Sequence, residues 1–266
     1  MIAFVREGLK IMDIGIITGS GFYEISHLEN MEKTVIDTDY GTAKVTSGTI
    51  DGCKVHHIAR HGIMHKQLSN HVNYRANIAA LDTLGVDAII STTACGVLLP
   101  SIPLGKLFVF DDMFFPDNRL PDGSFCTMFE SSTDPNKGHY ISKKPFSRAL
   151  VEQFSDLCDD CVTNLVYGQV AGPRFNTQAE IKWLSGFASA ISQTGGFEAV
   201  LAGEMQIPFC LLGYGMSYAN GVSDNDTSID DFAAYIEDSN AVFSDILVEF
   251  IRYHEDVEFE GEIYQF

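Results

Sequence analysis

Residues 14–21 read IGIITGSG. Three isoleucines in the first four positions, with no charge among them, make a strand buried in a core. Gly19-Ser20-Gly21 ends it in a tight turn, where glycine tolerates conformations other residues avoid. Outward from this point the chain alternates apolar, β-rich runs with helical patterns. TAKVTSGTI (42–50) and CKVHHIA (53–59) flank Asp51-Gly52, a two-residue hairpin signal. Residues 72–85, VNYRANIAALDTLG, place Ile78, Leu81 and Leu84 on one helical stripe and stop at Gly85. Strands follow at 86–92 (VDAIIST) and 106–112 (KLFVFDD), then a long loop region from Phe114 to Ser142, rich in Asp, Pro, Gly, Ser and Asn.

The second half keeps the rhythm. PFSRALVEQFSDL (145–157) is a helix and NLVYGQV (164–170) a strand. TQAEIKWLSGF (177–187) is a helix, FASAIS (187–192) a strand, FEAVLAGEM (197–205) a helix and IPFCLLGYGM (207–216) a strand. Ser228 is expected to cap a last helix running to His254, with a break near Asn240. The alternation predicts an α/β fold: a single domain over residues 1–266 with a mixed, largely parallel central sheet flanked by helices on both faces. Residues 1–11 read as an N-terminal extension and 255–266 as an acidic, partly mobile tail. In such sheets ligands bind at the carboxyl ends of strands, so candidate residues should lie just after them.

The chain has 17 basic and 36 acidic residues, a formal net charge of −19. A field of that sign repels phosphates and anionic lipids, which excludes general nucleic-acid or membrane-surface binding. No apolar run is long enough to span a bilayer. The N-terminus carries Arg6, Glu7 and Lys10 within its would-be apolar stretch, so it reads as no signal peptide, and the expected compartment is the cytoplasm. Six scattered cysteines then read as free thiols. Cys158 and Cys161 form one CxxC, but no second pair completes a structural zinc site, and neighbouring aspartates disfavour a reactive thiolate. Asp224 and Asp226 lack the glutamate and glycine spacing of a calcium loop, and no metal is expected.

Against this acidic background, residues 60–77, RHGIMHKQLSNHVNYRAN, hold two arginines, a lysine and three histidines but no carboxylate. A segment spared of acids in an acidic chain points to an anion held locally. Arg60, directly after a strand, offers a planar fork for phosphate oxygens. Two further strand ends offer partners. Thr18-Gly19-Ser20-Gly21 provides close backbone approach and a hydroxyl, and TTACG (92–96) provides two hydroxyls among small residues. Each alone could be a plain buried turn; three together would make one oxyanion pocket. There is no G-x-G-x-x-G and no Walker lysine, so dinucleotide and P-loop readings fail. Ser20 and Cys95 lack a defined base, so neither reads as a nucleophile. GPRFNTQAE (172–180) adds a stiff entry at Pro173, the aromatic face of Phe175 and a helix cap at Asn176 or Thr177.

In order, TGSG, RHG-x-x-H, N-x-x-N-Y-R-A-N, T-A-C-G, G-P-R-F-x-T-x-A-E and E-A-V-L-A-x-E resemble the trimeric nucleoside phosphorylases, most of all the 5′-methylthioadenosine and 5′-methylthioinosine enzymes, over roughly residues 12–255. The resemblance implies attack of inorganic phosphate on C1′ of a purine nucleoside, expected to be 5′-methylthioadenosine. 6-Oxopurine nucleosides are the alternative, and a non-catalytic nucleoside-binding relative a third reading. It implies a homotrimer, no cofactor, and orthophosphate as co-substrate. It also assigns Ser20, Arg60, His61, Thr93, Ala94 and Thr194 to phosphate. Purine and ribose fall to His65, Phe175, Asn176, Gln193, Ser217 and Asn220, and His139 is implied to reach the 5′ pocket of a neighbouring subunit. Ser217 and His61 would act in catalysis. Four positions depart from the pattern, and at one of them Phe197 stands where Pro is usual. Gln193 stands where Met is usual and could bond ribose hydroxyls, Ser217 stands where Asp or Asn meets N7, and Asn176 stands where 6-oxopurine enzymes carry Glu.

Overall fold

The computed structural model describes residues 11–131, 133, 136–223 and 229–265. The expected extension (but for Ile11), the Ser228 cap and the Asp224/Asp226 pair lie outside the described residues. Strand β1 (Ile14–Thr18) is wholly buried and sits between β4 (Cys53–Ala59) and β5 (Ala88–Val97), parallel to both. Strand β10 (Phe209–Tyr218) runs parallel to β5 on its other edge. The carboxyl ends of β1, β4, β5 and β10 therefore open toward one end of the sheet. Antiparallel pairings complete it: β2 (Glu29–Thr38) and β3 (Gly41–Ile50) extend one side, and β6 (Leu107–Phe114) pairs with β10. Strand β8 (Val162–Gln169) lies parallel to β6, and β9 (Ala190–Ser192) parallel to β8 and antiparallel to the end of β5. The sheet is thus mixed, as expected.

Period-two burial puts helices on both faces. Ile17, Phe209 and Leu211 face one core with residues of α1 (Tyr74–Thr83) and α4 (Gly195–Glu204). Ile14, Ile16, Cys210 and Leu212 face the other, with α2 (Arg148–Leu157) and α5 (Ile229–Tyr253). The hairpin read at Asp51-Gly52 joins β3 to β4, both residues in the left-handed region at φ 48° and 84°. This is the type I′ geometry whose twist suits two-residue hairpins. Asn73 caps α1 by accepting from the Ala76 amide, and Gly85, at φ 73°, follows its C-terminus.

Three expectations change. TTACG is not a turn after the strand: β5 continues to Val97, because β10 pairs with it as far as Val97↔Tyr218 and supplies its backbone partners. Helix α5 has no break at Asn240; the side chain instead donates to Gly21 O at 2.9 Å. The acidic tail forms β11 (Glu262–Tyr264), antiparallel to β7 (His139–Ile141) within the long loop region, and Tyr140 stacks on Phe259. The CxxC lies at the end of α2, with Cys161 Sγ donating to Cys158 O at 3.1 Å; both thiols are free and half-buried. Among the described residues no cluster of three His, Cys, Asp or Glu could hold a metal, and no helix is long and apolar enough to cross a membrane.

Candidate active site

The sheet's open end holds a cleft of about 840 Å³, within the range of small-molecule sites, ~300–1,000 Å³. Ser20, Arg60, His61, Thr93, Ala94 and Thr194 line it, and so do His65, Phe175, Asn176, Gln193, Ser217 and Asn220. His139 does not; it lies in β7, exposed, paired with the tail strand.

The loop carrying Ser20 is held from beneath and from the side. Thr18 Oγ1 donates to Phe22 O at 2.5 Å and lies 2.7 Å from His57 Nε2. Since the Thr18 proton goes to a carbonyl, His57 is the donor in its contact. Burial pushes His57 down to about 4, so it is neutral at ordinary pH. The Gly19 amide donates to Thr92 Oγ1 at 3.3 Å, which ties the loop to β5.

Arg60 is only 2% exposed. An isolated buried charge is very costly, so the chain surrounds it with acceptors. Nε donates to Glu198 Oε1 at 2.5 Å and Nη2 to Oε2 at 2.9 Å. Nη2 also reaches Ser91 Oγ at 2.7 Å, and Nη1 reaches Thr92 O at 3.0 Å. Ser91 in turn donates to Glu198 at 2.7 Å. Burial works against the guanidinium charge, but the Glu198 carboxylate outweighs it and holds the group above its ordinary value. The fork expected to grip phosphate thus closes on Glu198, and the one donor left for a ligand is on Nη1, beside Gly19.

His61 stacks on His65 at 4.2 Å between centroids, and its Nδ1 lies 2.9 Å from Gln67 O. A carbonyl only accepts, so Nδ1 carries the proton and Nε2 presents a lone pair. Burial first, then Arg60 and His65, push His61 down to about 3; it is a neutral group. The loop bearing the pair is tightly wound, with Gly62, Met64 and His65 all at positive φ. Such non-glycine conformations are costly and concentrate at functional sites.

Thr93 Oγ1 sits 2.8 Å from Ser192 Oγ and 3.5 Å from Thr194 Oγ1. Three hydroxyls from two segments, β5 and residues 192–194, therefore converge. The first amides of α4 do not add to them: the Tyr167 hydroxyl takes Thr194 N and Gly195 N, and Gln169 Oε1 takes Gly196 N.

Around the rest of the cleft, Phe175 is 73% exposed and offers a free ring face. Asn176 Nδ2 donates to Glu180 Oε2 at 3.3 Å, and Asn220 Nδ2 donates to Asn176 O at 2.7 Å. Both partners can only accept, which fixes both amides: each turns its Oδ1, an acceptor, away from that partner. Ser217 lies beside Gly96, just past an irregularity at Met216 that re-aims the end of β10. Cys95 lines the cleft, but burial pushes its thiol far up and no base stands by it.

Sequence reasoning missed several residues. Glu198 opens the E-A-V-L-A-x-E run, but an acid in a helix's first turn is a common dipole partner and nothing local pairs it with Arg60. Ser69 and Ile236 carry no local signal; Ile236 reaches the cleft from α5 and crowds Gly21.

A family model of the phosphorylase superfamily matches residues 13–252. A probable 6-oxopurine nucleoside phosphorylase of Dictyoglomus turgidum is 34% identical over 219 residues, covering 80% of this chain and 81% of that protein. An S-methyl-5′-thioadenosine phosphorylase of Caenorhabditis briggsae is 31% identical over 90% of this chain and 87% of that protein. Among solved structures, a methylthioadenosine phosphorylase from an Antarctic soil metagenomic library matches with a TM-score of 0.77 and 27% identity, over 91% of this chain and 87% of that one. With a nine-stranded mixed sheet, a cleft at its strand ends and a family match across nearly the whole chain, the protein belongs to the phosphorylase superfamily.

Proposed function

We propose that the protein catalyses phosphorolysis of a purine nucleoside, giving the free base and a pentose 1-phosphate. The observation that carries this reading is one continuous cleft with two chemistries. Its anion part has the hydroxyls of Ser20, Thr93 and Thr194, the Ala94 backbone and the Arg60 Nη1 edge, with neutral His61 offering an acceptor to the O–H of hydrogen phosphate; its base part has Phe175, two amides and Ser217. Phosphate oxygen forms a bond to C1′ as the C1′–N9 bond breaks. The bonding pair leaves with the base, whose charge is relieved when Ser217 donates to N7. The protein supplies position and oriented dipoles rather than a covalent nucleophile. His65 and Gln193 flank the ribose in this reading, no cofactor takes part, and phosphate is the co-substrate. Homotrimeric assembly, with His139 lent to a neighbour's 5′ pocket, and a cytoplasmic location belong to the same proposal.

For the sugar, the apolar Met216 and Ile236 suit a 5′-methylthio group, the substituent expected from sequence. For the base, a second reading has its own support: Asn176 and Asn220 both turn acceptors away from their fixed partners. Acceptors suit the N1–H of a 6-oxopurine better than the N1 lone pair of adenine. The test is base release with phosphate from methylthioadenosine, methylthioinosine, adenosine, inosine and guanosine. Release from one or more of these is expected. No release from any would sink the phosphorolysis reading, and a strong preference for the 6-amino pair would sink the 6-oxopurine one.

A further inference from the structure

Gln193 lies between β9 and α4, and its side-chain amide is gripped at both ends. Oε1 accepts from Ser69 Oγ at 2.7 Å, and Nε2 donates to Arg174 O at 3.1 Å. The backbone carbonyl of Arg174 can only accept, so the amide orientation is fixed and Ser69 must be the donor on the other side. Ser69 is itself anchored: it is buried, and its carbonyl accepts from the buried Tyr74 hydroxyl at 2.7 Å. Arg174 is anchored too, its guanidinium forked onto both oxygens of Glu180. Gly172 belongs to the same device, since a Cβ there would run into Gln193 Oε1 and Ser69 Oγ.

We propose that Gln193 is a positioning residue: with Ser69 it ties the 171–176 loop to the turn at Ser69–His71, and so sets where Phe175 and Asn176 meet the base. The proposal rests on the purine-nucleoside reading of the cleft. It assigns Gln193 a different job from bonding ribose hydroxyls. A methionine at this position could pack against the sugar but could not bridge the two segments. Phe175, with its ring largely in solvent, has little packing of its own to hold it. The loop is otherwise joined to the body near the cleft by Glu180, which receives both Arg174 and Asn176, and by Asn220 donating to Asn176 O.

The test uses the full-length protein with Gln193→Met, Ser69→Ala and the double variant, read in two ways. Hydrogen exchange at the Val170 and Thr177 amides, which bond Ser192 O and Glu180 Oε2 at the two ends of the loop, should speed up in both single variants of the ligand-free protein, and no further in the double. Kinetically, KM for the nucleoside should rise roughly three- to tenfold, the scale of one or two lost neutral hydrogen bonds, with KM for phosphate and kcat changed by less than about twofold. Ribonucleosides and 2′-deoxyribonucleosides should be affected equally. Unchanged exchange in both variants overturns the tie. So does a Gln193→Met effect confined to ribonucleosides and absent from Ser69→Ala, which would make Gln193 a ribose ligand. If Gln193→Met does not fold, Ser69→Ala alone decides by the same readings. If the wild type releases no base, the functional reading fails while the exchange result still decides the tie.

Discussion

Arg60 shows how one residue can be read correctly in position and incompletely in role. Its place after β4, in a segment without acids, was visible in sequence. Its partner was not, because Glu198 lies 138 residues away on α4. With both groups nearly inaccessible, at side-chain exposures of 1% and 0%, each is tolerable only because of the other. Removing one leaves an uncompensated buried charge. Glu198→Ala is therefore expected to cost about 3–5 kcal/mol of unfolding free energy, measured by urea titration. It should also raise KM for phosphate, because Nη1 loses its fixed direction. Glu198→Gln should be milder in packing yet still destabilising, since an amide nitrogen cannot accept from Arg60 or Ser91. An alanine variant with the wild-type urea midpoint would show that the pair does not carry the site.

At the scale of elements, α3 (Gln178–Leu184) links stability to the site. Thr177 and Glu180 form a reciprocal capping box, and the same Glu180 carboxylate receives Arg174 and Asn176. The Arg174 and Asn176 bonds and the Thr177 amide hold Glu180 down at about 2, so it stays ionised across the working pH range. Thr177→Ala should cost about 1 kcal/mol, with Thr177→Ser close to wild type, by the same urea titration. An equal loss in the serine variant would mean that the methyl group, not the cap, matters. Most elements were legible because their signals are local: the β3–β4 hairpin from Asp51-Gly52, α1 from its stripe and Gly85, α3 from its cap. The misread elements lacked local signals. TTACG has the composition of a turn, and only a long β10 alongside makes it strand. The β7–β11 pairing joins residues over 120 positions apart, and neither strand is long enough to show a period.

For the whole molecule, charge is the governing quantity. The chain carries −19 formally, and in the cleft the Arg60 charge is cancelled at contact distance by Glu198, while His61 is neutral. A phosphate dianion therefore approaches against the global field and is captured by short-range donors. Raising NaCl from about 20 to about 200 mM shortens the screening length to below ~10 Å and should raise kcat/KM for phosphate by roughly two- to threefold. A steep fall instead would reveal a net positive field at the cleft.

By itself the sequence determined the α/β alternation, the burial of β1 on both faces, and the order of the loops that meet at the strand ends. These follow from period, composition and turn chemistry, which act over a few residues. Tertiary structure alone decided that Arg60 faces Glu198, that Gln193 bridges Ser69 and Arg174, and that Ile236 closes on Gly21. Apart from the Gln193–Arg174 bond, which spans 19 residues, those contacts depend on strand register and helix placement across more than a hundred. A buried amide or guanidinium takes whichever acceptor the packing brings within reach, and no local pattern encodes which one that is.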